Sequence, residues 1–173
     1  MSDHAQAFVL HLQNLAQNDR GALAALRRSA SFAPGAYPPA YPYVERYVPA
    51  DCHAHDSKRL ALYVVAALFA RHPMQRDGQS LAGGLGKLMR DRGSASVEQR
   101  FVSLLAADAE ELPNYLRQIV SLLAADRVEV DYIGLLQDLS QWLKPNQFES
   151  RDRVRQRWAR DFYRQLTSAG NEP

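Results

Sequence analysis

SRDRVRQRWARDFYRQL, residues 150–166, carries two helical periodicities at once. Val154, Trp158, Phe162 and Leu166 recur every four residues, while Arg153, Arg157, Arg160 and Arg164 recur at intervals of four, three and four. At about 100° per residue these sets form two stripes on roughly opposite faces of an α-helix. One stripe docks on a core and the other faces outward. A strand cannot carry this pattern, because its side chains alternate every second residue.

Working back toward the N-terminus, the same kind of signal repeats. Asp131 opens a helix that buries Leu135, Leu136, Leu139 and Trp142, and Pro113 stands in the first turn of one that buries Leu116, Ile119, Val120 and Leu123. Ser96, with Gln99 three residues on, reads as a capping box before Val97, Phe101, Leu104 and Leu105. Ser80 starts a helix that runs to Arg92 and stops at Gly93, and Asp56 caps an apolar helix reaching Ala70. Asp19 and Asp3 open the first two. Between them and Asp56, residues 31–49 hold five prolines and four tyrosines, a rigid aromatic connector with room for a turn or so of helix. The expectation is an all-α protein: a compact bundle of about eight helices in one domain over residues 1–173, or two packed lobes, with a disordered tail over 167–173.

Composition bounds the function. With 173 residues and a single cysteine, Cys52, the chain folds on a hydrophobic core and not on disulfides. Its longest apolar run, Leu60 to Ala70, has eleven residues, well short of the roughly 20 that span a bilayer. No membrane association is expected. The N-terminus lacks the charged, apolar and cleavable pattern of a signal peptide, so a cytoplasmic location is expected. Gly83, Gly84, Gly86 and Lys87 suggest a phosphate loop, but Leu81 stands where its first glycine belongs and Leu88 where it needs Ser or Thr. Glycines inside a helix instead permit close approach of another backbone. Cys52, His53, His55 and Asp56 have metal-ligand chemistry but no second ligand pair at zinc-site spacing. No nucleophile elbow, HExxH or paired-carboxylate pattern stands out either. Neither an enzyme nor a cofactor or metal is expected.

The charge is distributed unevenly. A net +2 hides +2 over residues 80–107 (Lys87, Arg90, Arg92 and Arg100 against Asp91 and Glu98), −5 over 108–138 and +4 over 144–164. Of the 21 basic residues 18 are arginine, whose rigid fork of donors suits phosphate. The stripe Arg153, Arg157, Arg160, Arg164 reads either as a solvated face partly neutralised by Glu149, Asp152 and Asp161 or as a rail for a phosphate backbone. Arg27 and Arg28, at the end of the second helix, read either as complements to its dipole or as part of such a surface.

Leu26-Arg27-Arg28-Ser29, Pro34-Gly35-Ala36-Tyr37-Pro38 and Ser96-Val97-Glu98-Gln99-Arg100-Phe101, followed in order by Ala107-Asp108, Leu116-Arg117-Gln118 and Val130-Asp131 through Trp142, resemble the CasB family. Its members are the small subunit of the type I-E CRISPR Cascade complex. The resemblance spans about residues 5 to 165. It implies a non-enzymatic, all-helical subunit, present as a pair in a guide-RNA ribonucleoprotein that recognises double-stranded DNA. Its implied partners are the backbone and large subunits, a second copy of itself, and target DNA, especially the displaced single strand. The family's basic positions match Arg28, Arg100 and Arg117, with Arg27 beside the first. Lys87, Arg90 and the Arg153–Arg164 stripe are added from the charge pattern alone. Ala109, Glu110 and Glu111 depart from the further bases of some relatives. A different reading is a structural adaptor whose oppositely charged segments drive protein–protein assembly without touching nucleic acid.

Overall fold

α4 (Ser57–Arg71) organises the molecule, since every side chain from Ala61 to Ala70 is buried. A helix apolar on all sides has no solvent face and must be surrounded. α8 (Tyr132–Trp142), α2 (Arg20–Ser29), α7 (Leu112–Ala125) and α1 (Ser2–Asn18) surround it. Outside this group, α5 (Leu81–Arg92) and α6 (Ala95–Ala106) pack with α9 (Phe148–Thr167), and α9 also lies along α8. The computed structural model describes residues 2–168. With the one-turn α3 (Tyr41–Val44), nine α-helices and two 3-10 turns account for the regular structure among these residues. One continuous cluster of buried side chains draws on all nine helices. No described helix is long and apolar enough to cross a membrane.

The expected starts and stops are largely observed. Asp19, Asp56, Ser80 and Asp131 each cap a helix, their side chains accepting first-turn amides of α2, α4, α5 and α8. Gly93 ends α5 in the left-handed conformation at φ 63°, where a residue without Cβ is favoured. Three boundaries differ. Ser96 forms no capping box: α6 begins at Ala95, and the Ser96 hydroxyl instead meets that of Ser94 at 2.8 Å. α9 begins at Phe148, two residues before Ser150, with Gln147 in the cap position and no side-chain cap. Thr167, expected in the disordered tail, closes α9, and residues 169–173 of that tail lie outside the described residues.

The connector is ordered by polar contacts as well as by its prolines. The Tyr41 hydroxyl donates to the Gly35 carbonyl at 2.9 Å, and Arg59 of α4 donates to Glu45 at 2.7 Å and to the carbonyls of Gly35 and Ala54. Tyr37, Tyr41, Tyr43 and Tyr47 all pack, half-buried, against the core. Within the Cys52–Asp56 segment, the His53 ring accepts the His55 amide, while Asp56 serves as the α4 cap.

The loops after α4 and α7 are tied together. The Val130 amide donates to the Met74 carbonyl and the Val130 carbonyl accepts the Arg76 amide, on either side of the one isolated bridge among the described residues, Gln75 with Val130. The Gln75 side chain accepts from the Tyr132 amide, and the Tyr132 hydroxyl donates to the His72 carbonyl at 2.6 Å. This clasp fixes α5 and α8 relative to α4.

The helical glycines explain the contact of α5 with α9. A Cβ placed on Gly86 would run into the Phe162 carbonyl, a backbone atom that cannot step aside. Gly86→Ala is therefore expected to destabilise the protein by about 2 kcal/mol in urea unfolding, despite alanine's better helix propensity. Gly21→Ala, whose added Cβ would meet only Asp19 at an ordinary 3.5 Å, is expected to be neutral or slightly stabilising.

Candidate nucleic-acid interface

Cations gather where α2, α4 and α7 come together. Arg27 turns back on the protein, its Nε and guanidinium nitrogen donating to the Ala70 carbonyl at 3.3 and 3.1 Å. That carbonyl belongs to the last turn of α4, where helix carbonyls lack intrahelical partners. The next residue, Arg71, reaches the Ser121 hydroxyl of α7 at 3.3 Å, and that hydroxyl donates to the Arg117 carbonyl at 2.8 Å. Arg117 itself lines a small crevice with Ser29 and Ala30, the residues that follow Arg28. Four arginines, at positions 27, 28, 71 and 117, are thus carried by three helix segments that touch. Arg28 is exposed and Arg117 half-buried, and neither has a side-chain partner among the described residues.

A second group flanks α9. Its apolar stripe is seated as the sequence reading requires, with Val154, Trp158 and Phe162 buried and Phe162 stacked on Phe101 of α6 at 4.1 Å between ring centroids. The basic stripe divides into engaged and open members. Arg157 pairs with Asp138 of α8, whose other oxygen accepts the Trp158 indole N–H at 2.7 Å. Burial pushes the Asp138 carboxyl above its ordinary range, against the opposing pull of Trp158 and Arg157. Arg157 is therefore a clamp between α8 and α9 and not an open outward cation. Arg153 lies 3.8 Å from Glu149 at the (i, i+4) spacing, a loose and exposed pair. Arg160 and Arg164 are exposed without side-chain partners among the described residues. On α5, Arg90 is half-buried, donates to the Gln165 carbonyl and meets Asp91 at 3.4 Å, while Lys87 is exposed and unpaired among the described residues. Arg100 stands exposed on α6, likewise unpaired among them.

Six of the ten expected residues, Arg28, Lys87, Arg100, Arg117, Arg160 and Arg164, thus present cations without internal partners among the described residues. Arg27, Arg90 and Arg157 have structural duties, and Arg153 an exposed one. Arg71 is a member of the first group that the sequence pattern does not single out. Its only sequence signal is a base at the end of an apolar helix, which ordinarily complements the helix dipole.

The acids of residues 108–138 are mostly occupied. Asp126 pairs with Arg92, Glu129 with Arg76 and Asp138 with Arg157, while Asp108 and Asp131 accept backbone amides. Only Glu110 and Glu111 of the seven lack such a role among the described residues. Five of the seven acids of this segment thus have arginine or backbone-amide partners within the chain.

The molecule so described is an all-α bundle that presents basic residues from several helices on its surface. Residues 22–163 match the family model of CRISPR-associated protein Cse2. The chain is 42% identical over 143 residues to the CRISPR-associated protein Cse2 of Thermus thermophilus, covering 82% of this chain and 78% of that one. It is similar in structure to CasB of M. ruber (TM-score 0.76, 31% identity, 96% of each chain). It is also similar to a chain of a CRISPR RNA-guided surveillance complex (TM-score 0.79, 28% identity, 98% of this chain and 96% of that one). The protein belongs to the Cse2 family, the CasB family indicated by the order of its sequence motifs.

The division within the α9 stripe has a thermodynamic consequence. Arg157→Ala leaves the Asp138 carboxylate, 19% exposed, without its counter-ion and is expected to cost about 1–2 kcal/mol in chemical denaturation. Arg160→Ala and Arg164→Ala are each expected to stay within about 0.5 kcal/mol of the parent.

Proposed function

We propose that this protein is the small subunit of a type I-E Cascade surveillance complex, where it braces the assembly and holds nucleic-acid backbone. Its ligand in this reading is the displaced, non-target DNA strand of the R-loop. Membership of the Cse2 family and the likeness to a chain of an RNA-guided surveillance complex support the assembly. The observation that carries the binding role is the set of cations without internal partners. Arg117 lines a crevice with Ser29 and Ala30, the residues that follow Arg28, and Arg100, Lys87, Arg160 and Arg164 lie on α6, α5 and α9.

The physical logic is one of small increments. R-loop formation exchanges one duplex for another of similar stability, so modest contacts to the released strand tip the balance. Arginines spread over rigid helices give such contacts without base specificity. A net charge of +2 provides little long-range attraction. The subunit therefore works at close range, on a strand the assembly has already delivered. No step in this role requires a nucleophile, a metal or a cofactor.

The adaptor reading, in which opposed charges alone drive protein–protein packing, is less well supported, because five of the seven acids in its negative segment already have partners within the chain.

Changing Arg28, Arg100 and Arg117 together to Ala is expected to leave assembly intact while weakening DNA binding by the complex. The slope of log affinity against log salt should flatten by about 2, at roughly 0.7 per phosphate contact on single-stranded DNA. An unchanged slope in a fully assembled complex removes these three residues from the strand's path. Loss of assembly instead favours the adaptor.

A further inference from the structure

The turn from α8 into α9 borders an open cavity of about 270 Å³, walled by Trp142, Leu143, Lys144, Gln147, Phe148 and Arg151 among others. Around it the protein buries hydrogen-bond donors that nothing accepts. Trp142 is 2% exposed, and its indole Nε1–H has no partner among the described residues. The same is true of the Nε–H groups of Arg151 and Arg155. Arg155 lies over the Trp142 ring at 5.2 Å, and Arg151 over that of Phe148 at 4.9 Å. An indole N–H and a guanidinium Nε–H can only donate, and a buried donor without an acceptor is costly and rare in native proteins. Two of these donors, on Trp142 and Arg151, belong to residues that wall the cavity, and they call for an acceptor from outside the chain.

The charges at this turn specify what kind. Three cations, Lys144, Arg151 and Arg155, belong to this region; Asp152 lies 3.7 Å from Arg151 and 3.5 Å from Arg155, and Arg155 also donates to the Ala107 carbonyl at 3.0 Å. The Glu149 side chain is 93% exposed and is directed to Arg153. The Asp108 carboxylate, next to the cavity residue Ala109, is taken up by the amides of Glu110 and Glu111. The cavity also adjoins the start of the twenty-residue α9, which has no side-chain cap, so unbonded first-turn amides and the positive end of the helix dipole face the same region. Lys144, Arg151, the Trp142 indole and the first α9 amides together offer positive charge and N–H donors, a match for a tetrahedral oxyanion with several acceptor oxygens.

We infer that the α8–α9 turn is a phosphate-binding site, held by Lys144, Arg151, the Trp142 indole and the first amides of α9. None of these residues belongs to the surface assigned above to the displaced strand, so this inference stands apart from that reading. The phosphoryl group comes either from a nucleic-acid strand or from a free phosphate species.

The chain has two tryptophans, which makes the test direct. In a ¹H–¹⁵N correlation spectrum of the full-length protein, the Trp158 indole, bonded to Asp138, is an internal reference for that of Trp142. A Trp142→Phe variant assigns the peaks. Titration with inorganic phosphate at constant ionic strength is expected to move the Trp142 indole saturably and leave Trp158 in place. Arg151→Gln is expected to weaken the response about tenfold, the effect of removing one charge-assisted contact. Lys144→Gln, at a half-exposed position, makes the same test should Arg151→Gln disturb the Trp158 reference. An oligothymidylate that acts at lower concentration than phosphate identifies a strand as the source. A response confined to inorganic phosphate identifies a free species. The Arg28, Arg100 and Arg117 triple variant should respond like the parent, which separates this site from the proposed strand surface. A stationary Trp142 peak with both probes, or an undiminished response in both substituted variants, overturns the site. An equal response to acetate overturns the phosphate assignment in favour of a carboxylate from a protein partner.

Discussion

The burial of α4 on every side is the constraint from which the rest of the architecture follows. A ten-residue stretch without a solvent face, Ala61 to Ala70, requires neighbours in all directions, and α1, α2, α7 and α8 supply them. Each neighbour then has one face committed to α4 and another left for solvent or for a second layer. The clasp between the 72–80 and 128–131 loops sets where that second layer starts. α5, α6 and α9 complete it, with the Gly86 contact bringing two helix backbones together. The basic residues stand on the outer faces that remain.

The arginines divide by what they touch. Arg59 binds the connector to α4, Arg27 and Arg71 join helix ends, and Arg157 clamps α8 to α9. A guanidinium suits these tasks because one side chain can meet several carbonyl or carboxylate oxygens in a fixed plane. The same geometry suits phosphate, so a sequence rich in arginine is ambiguous between joining helices and holding a strand. What separates the two in the folded chain is whether a guanidinium group already has an acceptor. Those at 28, 100, 117, 160 and 164 do not, among the described residues.

The helices were legible because their signals are local. Asp19, Asp56, Ser80 and Asp131 cap within their own first turn, and Gly93 terminates by its own backbone conformation. Ser96 misled because capping competes with another local partner, the Ser94 hydroxyl. The two stripes of α9 were legible as geometry but not as chemistry. Nothing in the spacing of Arg157 tells that Asp138, nineteen residues earlier, lies against it. Likewise the acidic excess over 108–138 read as a surface property, whereas most of those carboxylates are occupied by arginines or amides distant in sequence. Family resemblance reached further than local pattern, since an ordered set of motifs reflects a whole fold. It carried over the positions of Arg28, Arg100 and Arg117 but gave no sign of the α8–α9 turn, whose unpartnered donors exist only once the chain is folded.

In the proposed role this subunit acts inside an RNA-guided particle and not alone. The most direct test is affinity capture of a tagged copy from the native host, with sizing of the eluate and sequencing of the small RNA that accompanies it. The expected result is recovery in a large multisubunit particle carrying repeat-derived guide RNA. Recovery as a lone protein without RNA, from cells expressing the other subunits, would contradict that role.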